Sequence, residues 1–196
     1  MFDLGRAFLA AVERSPSAIA ITDGELKLSF GQWFAEIQST AHGLELLGLV
    51  KGDRLLVIMQ NRWQMTTLHW ACQFAGIIIT PINWRSTAEE ISYYIDDSEP
   101  CALAYDDASA KEVLRCAKVK NLQRIVVGEV CDDGALDYVM LKAEAPAETI
   151  MRADADDYSL MLYTSGTTNK PKGVPRRHRV ERAAALAHVV QNLYRP

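Results

Sequence analysis

Residues 163–173 read YTSGTTNKPKG and follow directly on the apolar stretch Tyr158-Ser159-Leu160-Met161-Leu162. The composition suits an oxyanion. Glycine lets a backbone approach it closely, Ser and Thr hydroxyls and main-chain N–H groups donate to its oxygens, and a lysine supplies positive charge. Thr164, Ser165, Gly166, Thr167, Thr168 and Lys172 are the candidates for that work, and a nucleotide polyphosphate is the ligand the chemistry points to. Clusters of Ser, Thr, Gly and Pro also mark plain surface turns. An ordered string set straight after a strand favours the phosphate reading over that one.

Two phosphate loops compete. The Walker loop, G-x-x-x-x-G-K-[ST], needs a glycine before its lysine and a hydroxyl after it. Counting from Gly166, this chain has Pro171 before Lys172 and Gly173 after it. The string instead resembles the signature loop of the adenylate-forming, AMP-binding superfamily of acyl-CoA synthetases, written Y-T-S-G-T-T-G-x-P-K-G, with ten of the eleven positions compatible. Asn169 stands where that family carries glycine. Asn is the non-glycine residue most tolerant of positive φ, so it is expected to keep the backbone path in a left-handed conformation.

Weaker pieces extend the resemblance along nearly the whole chain in the family's order. They are Gln60-Asn61 after a buried strand, Ala75-Gly76-Ile77, Pro81-Ile82-Asn83, the helix after Thr87, and Asp156-Asp157 before the signature strand. The resemblance implies an acid–thiol ligase that joins a carboxylic acid to ATP as an acyl-adenylate, releases pyrophosphate and passes the acyl group to coenzyme A. ATP, Mg2+ and CoA are the implied cofactors, fatty acid metabolism the implied setting, and the loop the implied clamp on the β- and γ-phosphates. His178 joins the site by the same resemblance, since the family commonly carries a histidine at that point after the loop.

Several of the family's parts find no counterpart here. They are the downstream tyrosine-glycine-x-threonine-glutamate motif with its magnesium carboxylate, the ribose-binding aspartate, the hinge and the catalytic lysine of the mobile C-terminal domain. Residues 1–196 are therefore expected to be the N-terminal portion of an adenylation domain, inactive alone and, with a sheet edge left unpaired, prone to self-association. Two other readings stay open. One is a non-catalytic nucleotide- or partner-binding module. The other is a P-loop-type NTPase, for which Asp96-Asp97 and Asp106-Asp107 are the available carboxylates.

Composition narrows the classes further. With 49% hydrophobic residues in 196, the chain can bury a substantial core. Its net charge of −4 argues against nucleic acid as a partner; the basic run Pro175-Arg176-Arg177-His178-Arg179 reads as a solvated helix entrance. No apolar run approaches the roughly 20 residues that span a bilayer, and Met1-Phe2-Asp3-Leu4 lacks the pattern of a secretory leader, so a cytoplasmic protein is expected. Cys72, Cys101, Cys116 and Cys131 are too widely spaced for a metal or disulfide framework.

The elements that must hold the loop follow from periodicity and punctuation. Residues 3–14 form an amphipathic helix capped by Asp3. A hairpin pairs Ala18–Thr22 with Leu26–Ser29 around Asp23-Gly24, and Ser29 with Gln32 opens a long helix through a capping box. Strands at Arg54–Met59, Ile77–Thr80, Cys101–Tyr105 and Arg124–Val127 alternate with helices at Arg62–Phe74, from Thr87 to about Asp97, and at Ala108–Lys118. Unbroken apolar strands between helices predict an α/β fold, a parallel sheet with helices on both faces. Residues 128–157 read as a surface excursion. The chain then re-enters the sheet at Ser159–Leu162 and passes from the loop into a helix from about Arg179 to Asn192.

Overall fold

The computed structural model describes residues 3–144, 148–165 and 170–193. Helix α1 (Leu4–Arg14) starts where the Asp3 carboxylate accepts from the Arg6 N–H at 2.8 Å. Strands β1 (Ile19–Asp23) and β2 (Leu26–Ser29) form a small antiparallel pair. Helix α2 (Phe30–Leu46) opens with the reciprocal Ser29–Gln32 capping box that its sequence predicts. There follow β3 (Arg54–Ile58), α3 (Trp63–Ala75), β4 (Ile78–Pro81), α4 (Ala88–Ser98), β5 (Ala102–Asp106), α5 (Ala110–Arg115) and β6 (Gln123–Val127). The last part of the chain supplies β7 (Leu136–Asp137), α6 (Tyr138–Leu141), β8 (Tyr158–Thr164), β9 (Lys172–Arg177) and α7 (His178–Gln191).

Among the described residues the main sheet runs β7-β6-β5-β3-β4-β8-β9, parallel throughout except for the last pair. Its strands alternate between two cores. Leu55 and Val57 point into one, with Phe8 of α1, Trp33 and Ile37 of α2 and Phe74 of α3. Leu56 and Ile58 point into the other, with Ile91 and Tyr94 of α4 and Val113 of α5. Both faces are dry, so β3 reads as continuous apolar sequence rather than as alternation.

Three features depart from the sequence reading. The helix expected over Ala108–Lys118 stops at Arg115, because Cys116 is extended, and continues as a 3-10 turn over Ala117–Asn121. Residues 128–144 and 148–157 are not a surface excursion throughout, since Tyr138, Leu141, Ile150 and Ala153 are all buried. Ile150 donates to the Gln38 side chain at 2.7 Å, and the Arg152 N–H donates to the Phe74 carbonyl at 2.8 Å, which straps this segment across α2 and α3. The third departure is β9. Between the loop and the helix the chain forms a strand antiparallel to β8 that the sequence reading did not assign, while α7 begins at His178, within a residue of the expected start. Pro175 and the pair Arg176-Arg177 hid the strand pattern there. No helix among the described residues is long and apolar enough to cross a membrane.

Candidate functional site

Strand β8 lies beside β4 at the end of the parallel set, and its carboxyl end carries the loop. A buried pair fixes its depth. The Ser159 hydroxyl donates to Gln73 Oε1 at 2.6 Å, tying β8 to α3, and both side chains are wholly buried. At the other end, Thr164 pairs with Lys172 and Tyr163 with Gly173 across the β8–β9 ladder. Thr164, Ser165 and Lys172 are all exposed, so two hydroxyls and an ammonium border one open mouth. Gly166, Thr167, Thr168 and Asn169 lie outside the described residues.

Helix α4 grips both stems of the loop. The Tyr163 hydroxyl donates to Asp97 Oδ2 at 2.7 Å, and its ring meets Tyr94 edge-on with centroids 4.6 Å apart. On the exit side, the Tyr93 hydroxyl donates to the Pro171 carbonyl at 2.6 Å, and the Lys170 ammonium lies 5.2 Å from the centre of the Tyr93 ring. Burial and then the Asp97 carboxylate push the Tyr163 phenol well above its ordinary value. Tyr93 moves the same way for the same two reasons. Both phenols therefore stay protonated, as donors to the carboxylate and the carbonyl must.

Gly173 earns its place by size. A Cβ there would stand 3.0 Å from Met161 Sδ, 3.3 Å from Tyr163 Cζ and 3.4 Å from Asp97 Oδ2. The last glycine of the string thus makes room for the Tyr163–Asp97 contact. The sequence reading missed Tyr93 and Tyr94 and offered Asp97 only as a carboxylate for a P-loop-type NTPase, although the i, i+4 spacing of Tyr93 and Asp97 on a helix sets both on one face.

His178 is not brought together with the loop. It sits at the far end of β9, about 20 Å along the strand from Lys172 at ~3.4 Å per residue. There it is fully buried, with Leu4 N–H donating to its Nδ1 at 3.4 Å and its own N–H donating to the Asp157 carbonyl. Burial above all lowers its pKa from the ordinary value. Asp157 belongs to the same joint. Burial works to raise its carboxyl, but the Lys51 ammonium at 2.7 Å and the Asp154 N–H outweigh it, and the net shift is downward. The basic run is engaged here as well, with Arg177 donating to the Asp156 carbonyl, Arg179 paired with Asp156, and Arg176 paired with Glu181.

The remaining carboxylate candidates are also committed. Asp96 pairs with Lys118 and Asp97 holds Tyr163. Asp106 ends β5 rather than a helix, and its buried carboxylate accepts from the Gln60 N–H at 3.0 Å and the Ser109 N–H at 3.2 Å. It lies three strands from β8, beyond β3 and β4, out of reach of the loop. Among the described residues no group of three or more His, Cys, Asp or Glu side chains could hold a metal ion. The four cysteines are free, with Cys72 and Cys116 buried and Cys101 and Cys131 exposed.

Comparison with known proteins agrees with this geometry. The 2-succinylbenzoate–CoA ligase of Bacillus licheniformis is 31% identical over 167 residues, which are 83% of this chain and 31% of that protein. The long-chain-fatty-acid–CoA ligase FadD13 of Mycobacterium tuberculosis is 30% identical over 82% of this chain and 32% of its own length. The chain thus spans about a third of the length of these curated relatives. Among solved structures, the anthranilate CoA ligase AuaEII in complex with anthranoyl-AMP shares the fold with a TM-score of 0.84, at 19% identity over 91% of this chain and 35% of that one. The model of the AMP-binding enzyme family matches residues 8–195, and the chain belongs to that family.

Proposed function

We propose that residues 1–196 are the phosphate-clamping N-terminal portion of an AMP-forming acid–thiol ligase. The parent reaction joins a carboxylic acid to the α-phosphate of ATP, releases pyrophosphate and transfers the acyl group to CoA. The single observation that carries this reading is the pairing of Thr164 with Lys172 at the mouth of the β8–β9 hairpin, beside exposed Ser165. Attack of one anion on another and departure of a highly charged leaving group both demand donors fixed around the phosphates. Gly166, Thr167 and Thr168 complete that donor set in this reading. The described residues fit ATP better than its metal, for they offer the polyphosphate hydroxyls and a lysine but include no group of three or more His, Cys, Asp or Glu side chains that could hold magnesium.

Titration of ATP and of pyrophosphate against the chain tests the reading. Lys172→Ala and Thr167→Ala are expected to weaken both ligands, and unchanged affinity in both variants sinks it. His178 has no contact with the ligand in this proposal. The named relatives act on a succinylbenzoate and on long-chain fatty acids, so the acid is left at the level of a carboxylic acid and fatty acid metabolism is one of its settings. A cytoplasmic location belongs to the same proposal.

Turnover and assembly are further parts of it. The 196-residue chain alone is expected to form no acyl-adenylate, because positioned phosphate donors do not replace the family's magnesium carboxylate and catalytic lysine. Carboxylate-dependent exchange of pyrophosphate into ATP by the pure chain would overturn this. Self-association of the chain is supported by exposed Leu162 and Val174 on the terminal hairpin and by exposed Val180, Leu186, Val189 and Val190 on α7. Light scattering reads it directly, and a monodisperse monomer refutes it.

A further inference from the structure

We infer that Tyr93 of α4 is a positioning residue for the phosphate loop. Its hydroxyl fixes the exit of the loop through the Pro171 carbonyl, and its ring holds the Lys170 ammonium. This rests on the proposed phosphate site and adds to it the element that sets where the lysine arrives.

A tyrosine at this partly exposed position could satisfy its hydroxyl with water. It donates instead to a main-chain carbonyl 78 residues away, at 2.6 Å. The held carbonyl belongs to the planar peptide unit that joins Pro171 to Lys172, so anchoring it also fixes where the Lys172 backbone begins. One turn along the same face of α4, Asp97 holds the entry stem through Tyr163 at 2.7 Å. That carboxylate also closes over Gly173, the register partner of Tyr163. One helix face therefore touches both stems of the loop, at two points one helical turn apart on α4.

The Lys170 contact gives the same residue a second task. At 5.2 Å from the ring centre, the Lys170 ammonium is within the range of a cation–π attraction. Held there, it is a second positive charge two residues from Lys172. A polyphosphate, with charge spread over several oxygens, gains from two placed cations more than a single phosphate does. Donors held to within about half an ångström bind and orient far better than the same donors left loose. Removal of the Tyr93 hydroxyl is therefore expected to cost ligand affinity without costing the fold.

Tyr93→Phe removes the hydroxyl and keeps the ring, whereas Tyr93→Leu removes both. The test compares wild type and these variants in the 196-residue chain by amide hydrogen exchange of peptides spanning residues 163–173, by titration with inorganic pyrophosphate, and by thermal melting. Tyr93→Phe is expected to speed exchange in that segment roughly fivefold and to weaken pyrophosphate by a similar factor, the worth of one net hydrogen bond, with melting unchanged. Tyr93→Leu is expected to weaken pyrophosphate further. Exchange in Tyr93→Phe equal to that of wild type overturns the inference, as does an increase spread evenly over the whole sheet, which would make Tyr93 a general packing residue. If wild type fails to bind pyrophosphate, the phosphate-site reading falls on its own. The exchange comparison still decides whether Tyr93 anchors the loop.

Discussion

The Tyr163 hydroxyl and the Asp97 carboxylate meet at 2.7 Å directly over Gly173, so the last glycine of the loop string is a space-holder for a hydrogen bond. A methyl group at this position must displace Met161 Sδ and the Tyr163 ring together. Gly173→Ala is expected to cost roughly 1 to 2 kcal/mol, the scale of a mild overpacking, and to weaken nucleotide binding as Tyr163 moves off Asp97. Urea denaturation reads the first effect and an ATP titration the second. A variant with wild-type values in both would show that the glycine is chosen for some other reason.

Ser159 and Gln73 make the same kind of point deeper in the fold. Their side chains exchange a hydrogen bond at 2.6 Å with no access to water. Ser159→Ala leaves Gln73 Oε1 as a buried acceptor without its partner, at a cost of about 1 to 3 kcal/mol. Replacement of both by apolar residues is expected to recover part of the loss, because no orphaned polar atom then remains. A single variant as stable as wild type contradicts this account of how β8 is seated.

A larger effect is expected at Gly43 in α2. A Cβ there would lie 1.8 Å from the Leu141 carbonyl oxygen, a backbone atom in the strap that follows β7. Neither helix nor strap can yield locally, since Tyr138 reaches Thr40 at 3.2 Å and Lys142 pairs with Glu36 at 2.9 Å on either side of the contact. Gly43→Ala should therefore release the strap or unfold the chain, at a cost of roughly 3 kcal/mol or more. Intact binding of the strap in this variant, read by protease resistance of residues 136–144, would count against the packing described here.

The parallel core was legible in the sequence because its signals are local. Capping boxes at Ser29–Gln32 and Thr87–Glu90 and unbroken apolar runs such as Leu55-Leu56-Val57-Ile58 each declare one element without help from elsewhere. The string at 163–173 was readable as a resemblance to one family, and the family match over residues 8–195 agrees with it. What the sequence could not declare was pairing. Strand β9 carries Pro175 with Arg176 and Arg177 and becomes a strand only because β8 lies beside it. The strap over α2 consists of isolated buried residues, Tyr138, Leu141 and Ile150, with no shared period. His178 follows the loop closely in sequence, yet the strand between them carries it away from the site. Tyr93 and Asp97, by contrast, lie more than 60 residues before the loop that they touch.

The buried joint around His178 predicts a pH response. His178 faces Asp3 and the Leu4 N–H from α1, His69 from α3, Lys51 from the turn before β3, and Asp154 and Asp157 from the approach to β8. Burial, and secondarily the neighbouring His178, lower His69 to about 4, and burial also lowers His178. An imidazole that stays neutral in the folded chain but protonates in the unfolded one stabilises the fold above the unfolded pKa near 6.5. That stability is lost as pH falls from there toward the folded value. For His69 the shift corresponds to about 2 kcal/mol lost by pH 5, at ~1.4 kcal/mol per pKa unit. The Asp157 carboxylate, whose pKa is lowered, adds a loss only at still more acid pH. Urea midpoints of wild type should therefore drop between pH 7 and pH 5, and those of His69→Gln should drop less. An equal drop in both would place the acid sensitivity outside His69.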